Sequence, residues 1–180
     1  MKTYTILKGL HYSAHWIKPI IFPKMMKFDF VLSNKSSYRP LTEHDERDTK
    51  QLKHQVNKIA GMSLDIFGKN SARLGYRYNW ENGYFEIIPY YHLKGKKVWN
   101  EDRAIRIEKN IKYTCRIYKK KKLLCISVSE KYNPRKMVMH DILSVDIRNP
   151  IIGYRQYPHF GSSGNDSSAP KNIEILLDFY

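Results

Sequence analysis

NSARLGYRYNWENGYFEIIPYYHL, residues 70–93, begins by alternating: Ala72, Leu74, Tyr76 and Tyr78 fall on one side, Ser71, Arg73, Gly75 and Arg77 on the other. A period of two is that of a strand with one buried face. Asn82-Gly83 then supplies a turn whose central residues take positive φ. A two-residue turn there sets Tyr78 opposite Ile87, Leu74 opposite Tyr91 and Ala72 opposite Leu93 on the apolar side. On the polar side it sets Gly75 opposite Tyr90, Arg73 opposite His92 and Asn79 opposite Glu86, so that an aromatic ring covers a glycine between two arginines. That side reads as a binding surface, although an ordinary solvated sheet face carries arginines and tyrosines too.

The same alternation recurs through the chain. Residues 2–8 read as a strand ending at Gly9, and residues 24–32 as a second one with Met26, Phe28, Phe30 and Leu32 on one face; Pro19 and Pro23 make the connection between them irregular. After the central hairpin come strands over residues 96–99, 103–108, 111–118 and 123–129, with Lys119 to Lys122 at the tip between the last two. Residues 134–145 and 150–157 are further candidates, and residues 173–179 close the sheet. Thr42 with Asp45 forms a capping box, and Leu52, Val56 and Ile59 have helical spacing, which predicts one short helix over residues 43–59. Short strands at turn intervals, with at most that helix, predict an all-β protein: a single domain over residues 1–180, an antiparallel two-sheet sandwich of the jelly-roll kind.

Composition bounds the function. Hydrophobic residues at 42% and charged residues at 27% exclude a disordered chain, and 180 residues bury a core without metals or disulfides. The net charge of +15 favours an anionic partner: nucleotide, nucleic acid, acidic polysaccharide or anionic membrane. Charged residues interrupt the first thirty positions, and nothing later is apolar enough to span a bilayer, so a soluble cytoplasmic protein with no membrane partner is expected. Cys115 and Cys125 lie on neighbouring predicted strands and are expected to be reduced core residues.

No phosphate-binding glycine loop, dinucleotide fingerprint, zinc-ligand spacing or Gly-x-Ser-x-Gly elbow is present, and His140-Asp141 stands alone, so neither cofactor nor metal is expected. What remains is His11, Tyr12, Arg73, Arg77, Tyr90, His92, Tyr157 and His159. Arginine pairs phosphate bidentately and aromatic rings stack on bases, which suits a nucleotide better than a bare anion. If His11 converged with His92 or His159 on a phosphodiester, one imidazole could take the proton of a neighbouring hydroxyl and the other protonate the leaving oxygen, without a metal. A structural hydrogen bond is the ordinary fate of each of these histidines.

Lys8-Gly9 with His11-Tyr12-Ser13, Asn57-Lys58 with Gly61, Asn70-Ser71-Ala72-Arg73 with Gly75 and Arg77, Tyr157-Pro158 with Phe160-Gly161, and Ala169-Pro170 form an ordered set. This set resembles a family of small, largely uncharacterised proteins of bacteria and their phages. The resemblance implies a single β-sandwich ending in an alternating strand, and it implies no activity. It adds Asn57, Lys58, Ser71 and Phe160 to the candidate ligand-binding residues. The chain departs from the pattern at Tyr76, where tryptophan is usual, at His159, where another aromatic is usual, and at Lys171, which replaces a usual histidine and weakens any mechanism relying on it.

Together these readings predict a protein that binds a phosphate-bearing small molecule, a nucleotide signal or short oligonucleotide, on the basic, aromatic sheet face. A phage protein sequestering a host immune nucleotide fits that description. The alternatives are a metal-independent phosphodiesterase or ribonuclease and, by fold analogy, a carbohydrate-binding module. A homo-oligomer with the site between subunits is compatible with each.

Overall fold

The computed structural model describes residues 1–15, 18–39, 55–98, 101–147, 151–161 and 168–180. Along the chain the strands are β1 (Lys2–Ile6), β2 (Lys18–Ile21), β3 (Met25–Val31), β4 (Asn57–Ser63), β5 (Ser71–Asn79), β6 (Tyr84–Leu93), β7 (Lys96–Val98), β8 (Ile105–Ile107), β9 (Tyr113–Lys120), β10 (Leu123–Glu130), β11 (Met137–Ser144), β12 (Ile152–Gln156) and β13 (Ile173–Phe179). They form two antiparallel sheets, a six-stranded one in the order β1-β13-β3-β9-β10-β11 and a seven-stranded one in the order β2-β12-β4-β5-β6-β7, with β8 also on β6. The protein is an all-β, jelly-roll-like sandwich whose only helical turn among the described residues is a 3-10 turn at Glu101–Arg103. Alternation puts Ile6, Phe28, Phe30 and Ile117 of one sheet against Leu74, Tyr76, Phe85 and Ile87 of the other, all buried in one cluster. Burying such side chains is worth about 1.5–3 kcal/mol each, the main term holding the sheets together.

The central hairpin forms, but its register is not the one that Asn82-Gly83 alone would set. Residues 80–83 connect the strands, so Tyr78 faces Phe85, Leu74 faces Pro89, Arg73 faces Tyr90, Gly75 faces Ile88 and Asn79 faces Tyr84. Asn79 is the cause: its Oδ1 accepts from the Asn82 backbone N–H at 3.0 Å while Gly83 N–H donates to Asn79 O at 2.7 Å, which closes a longer loop. Every partner moves by two positions, and a shift of two leaves each side chain on its expected face.

The short helix is also corrected. Its first part, residues 43–54, lies outside the described residues, whereas Ile59 belongs to β4, a strand buried along its whole length. A strand covered on both faces shows no alternation, and its apolar positions mimic helical spacing. β2 was hidden by Pro19, which is tolerated because β2 is the sheet edge. Cys115 faces Val128 and Cys125 faces Tyr118, and both thiols are free and buried.

On the outer side of the six-stranded sheet Asp29 is fully buried. Tyr180 Oη donates to it at 2.6 Å and Thr114 Oγ1 at 2.8 Å, and the Lys131 ammonium lies 2.9 Å away. Burial alone would raise its pKa, but the hydrogen bonds from Tyr180, Lys131 and Thr114 outweigh it and hold the carboxyl below its ordinary value. A depressed pKa means stability that is complete above about 3.9 and drains away as pH falls through the folded value. Asp29→Asn is therefore expected to cost about 2 kcal/mol at neutral pH and to flatten the acid limb of a plot of Tm against pH below about 4. An acid limb as steep as that of the wild type would show that another carboxylate controls it.

Candidate functional site

The outer face of the seven-stranded sheet carries a cleft of about 360 Å³, within the size range of small-molecule sites. Its floor comes from β4, β5, β6 and β12, and its wall from residues 12–15 and 157–159. A bulge between Lys58 and Ala60 sets Lys58 opposite Gly75 on this face. Lys58, 2% exposed, holds its ammonium 4.7 Å over the Tyr90 ring and donates to Gly161 O.

Arg73 lies opposite Gly61 on one side and Tyr90 on the other. A Cβ on Gly61 would come within 2.7 Å of Arg73 Cγ and 2.4 Å of Ala72 O, so the glycine makes the bed on which the arginine stem lies. Arg73 Nε is buried without a hydrogen-bond partner, and among the described residues no carboxylate pairs with this guanidinium. Burial pulls its pKa down, yet a guanidinium remains charged.

Around these cations stand rings and one amide. Tyr12 stacks on His159 with centroids 4.3 Å apart, and Tyr90 meets His92 edge-on at 5.4 Å. The Tyr154 hydroxyl closes against Gly68, where a Cβ would come within 2.5 Å of it. Gln156 is 7% exposed, and its Oε1 is buried with no hydrogen-bond partner. Burial, then Arg73, Lys58 and Lys97, push His92 down to about 4, so at pH 7 it is neutral, a hydrogen-bond donor at one ring nitrogen and an acceptor at the other, and not a general acid. For a histidine depressed in this way, stability is complete above about 6.5 and is lost as pH falls towards the folded value. His92→Gln is expected to remove that decline between pH 6.5 and 4, as read by thermal unfolding at successive pH values.

The wall is held by backbone. Lys58 and His159 exchange N–H···O bonds at 2.8 and 3.0 Å, Gly161 N–H donates to Asn57 Oδ1 at 2.7 Å, and Phe160 N–H donates to His11 O at 2.7 Å. Gly9 N–H donates to Ala169 O at 2.9 Å and Ala169 N–H to Leu10 O at 3.0 Å. Residues 8–13, 57–58, 157–161 and 169–170, scattered in sequence, are thus one stapled unit.

Of the residues expected at a site, Tyr12, Lys58, Arg73, Tyr90, His92, Tyr157 and His159 line the cleft. Ser71 supports it from beside, with Oγ 3.5 Å from His92 Nδ1. Asn57 and the fully buried Phe160 point into the structure and anchor the wall. His11 lies outside the lining, its Nδ1 3.0 Å from Phe160 O and its ring 6.1 Å from that of His159. Arg77 forms an ion pair with Glu86 and does not reach the cleft. Sequence reasoning did not assign Ser13, His15, Tyr154, Arg155, Gln156 or Pro158 to the site. The signal was available for Tyr154 and Gln156, which alternate in a predicted strand, but using it required knowing that β12 pairs with β4.

Among the described residues no group of His, Cys, Asp and Glu is placed to hold a metal ion, and Asp141 accepts from Tyr91 Oη and from Arg103, each at 2.6 Å. No helix among them is long and apolar enough to cross a membrane.

No family model matches the chain, and neither does any curated protein. Solved structures do. A functionally unknown protein from Saccharomyces cerevisiae matches with a TM-score of 0.54 at 9% identity, over 99% of this chain and 85% of that one. The CBM2 module of the evolved Dit of Lactobacillus casei BL23 phage J-1 matches with a TM-score of 0.53 at 12% identity, over 98% and 74%. The shared property is the sandwich fold. A xylan beta-1,4-xylosidase from Bacillus halodurans C-125 matches with a TM-score of 0.55 at 8% identity over 97% of this chain, which spans 32% of that enzyme.

Proposed function

We propose that the cleft binds an anionic, ring-bearing small molecule, with a nucleotide or short oligonucleotide as the ligand class. The observation that carries this reading is Arg73, a largely enclosed guanidinium with no carboxylate partner among the described residues. A cation taken out of water without a counterion is costly, and a ligand phosphate removes the cost. Tyr12 and Tyr154 supply faces on which a base can stack, Tyr90 lies 2% exposed beneath the Lys58 ammonium, and Gln156 Oε1 is an acceptor free to read a ligand N–H or O–H. Sequestration of a nucleotide signal by a phage protein fits a site that holds its ligand without a metal.

Carbohydrate binding is the second reading, supported by the likeness to a CBM2 module and by the same tyrosine faces. Salt separates the two, because phosphate affinity weakens as ionic strength rises and a neutral glycan hardly responds. The deciding experiment incubates the protein with linear and cyclic nucleotides in chelator, filters it, and chromatographs the filtrate and the heat-released fraction. One nucleotide depleted from the filtrate and recovered intact is the expected result. New product peaks would instead assign metal-independent cleavage by imidazoles inside the cleft, where His15, His92 and His159 are the candidates. Full recovery in the filtrate would remove both nucleotide readings and leave glycans.

A further inference from the structure

At one end of the sandwich, loops carry apolar side chains that the core does not take up. Ile21 ends β2 directly opposite Ile152, the first residue of β12, and the next residue, Phe22, donates its N–H to Ile151 O at 2.8 Å. Tyr154 pairs with Ser63, so the start of β12 also runs beside the β4–β5 loop, which carries Ile66 and Phe67. These six side chains are between 49% and 76% exposed. Phe22 takes φ +49, a region that disfavours a bulky residue, and its ring nevertheless points to solvent. Contiguous exposed apolar groups on this scale mark an interaction surface.

Lysines rim the patch. Lys119 N–H donates to Lys24 O at 2.8 Å, which brings the Lys119 to Lys122 hairpin tip beside the β2–β3 turn, and Gly95 N–H donates to Lys69 O at 2.8 Å, which brings the Lys94-Gly95-Lys96 turn beside the β4–β5 loop. The Asp65 carboxylate, which accepts from Phe67, Lys69 and Asn70 N–H at 2.9, 3.0 and 2.7 Å within its own loop, offsets one of these charges and leaves the lysines in excess. Asp146 is the exposed carboxylate among the described residues of these loops.

We propose that this end of the protein docks on an anionic lipid surface, with the isoleucines and phenylalanines entering the interface and the lysines meeting lipid phosphates. This is a surface contact, not a membrane span, and it is independent of the cleft's ligand. Charge selects the occupant. A second copy would bring two lysine rims together, and a nucleic acid would take up the lysines while leaving the apolar side chains in water. A bilayer with anionic headgroups satisfies both.

The test is co-sedimentation of the full chain with phosphatidylcholine vesicles and with vesicles containing about 30% phosphatidylserine, at low and high salt. Wild type is expected to partition onto the anionic vesicles only, less so at high salt. Phe22→Asn with Phe67→Ser, and separately Lys120→Glu with Lys121→Glu, are expected to lower partitioning at least about tenfold. All four positions are exposed, and Phe22→Asn suits the local φ, so the fold survives; circular dichroism verifies it. Failure to bind anionic vesicles, unchanged binding by either variant, or a concentration-dependent dimer that the phenylalanine substitutions abolish would each overturn the proposal.

Discussion

Replacing Arg73 by glutamate is expected to lower nucleotide affinity by a factor of at least about 100. Charge-assisted hydrogen bonds to phosphate are worth about 1.5–3 kcal/mol, and a carboxylate in the same place adds repulsion. Arg73→Lys should retain part of the affinity, since it keeps the charge and loses the planar fork. Arg73→Met separates function from folding: it removes a cation that is buried without a described counterion, so it should abolish binding and raise the Tm of the free protein. Titration calorimetry with the ligand from the filtration experiment, beside thermal scans of each variant, checks both halves. Unchanged affinity in Arg73→Glu would mean that phosphate is not recognised in this cleft.

Gly61→Val is expected to have the larger effect on the protein as a whole. A Cβ there would meet Ala72 O at 2.4 Å and Arg73 Cα at 2.7 Å, both backbone atoms of the neighbouring strand, so no side-chain rotation relieves the overlap. The β4–β5 ladder must separate, at a cost of roughly 3 kcal/mol or more, comparable with severe overpacking. Gly61→Ala carries that same Cβ, so it should also loosen the β4–β5 ladder, without the further crowding of valine's two methyl groups, and in the molecules that fold Arg73 is lifted off its bed and affinity falls. Denaturant unfolding measures the first effect and ligand titration the second. A Gly61→Ala protein with wild-type affinity would show that the arginine's position does not depend on the glycine.

The two faces of the central hairpin were legible because β5 has its apolar side chains at every second position and its arginines between them. The pairing partners were not, because the Asn79 side chain, not the Asn-Gly pair alone, sets the length of the turn. β4 was illegible for the opposite reason: with both faces covered it carries apolar, small and polar residues in no alternating order. The site was half legible. Arg73, Tyr90 and His92 share one hairpin face, and local pattern finds them. Tyr12, Gln156 and His159 reach the same cleft from distant parts of the chain, through the bridges Tyr12 to His159 and Lys58 to His159 and the pairing of Gln156 with Gly61. Periodicity carries no information about such meetings. Asn57 and Phe160 are candidates because a motif contains them, and the structure places Asn57 Oδ1 on Gly161 N–H and the Phe160 ring in the core.

The order of strands in the six-stranded sheet has a consequence for how the molecule assembles. β13 lies between β1 and β3, pairing Ile6 with Ile173 on one side and Phe30 with Leu177 on the other. The two earliest strands of that sheet are therefore joined only through one of the latest, and pairings so distant along the chain make for slow folding. Until residues 173–179 are in place, β1 has no ladder and β3 presents a bare edge, the kind of edge on which other chains add. During synthesis β4 to β7 can pair strand by strand as they emerge, and so can β9 to β11, while β1 has to wait for β13 and β2 for β12, so each sheet closes in a late step.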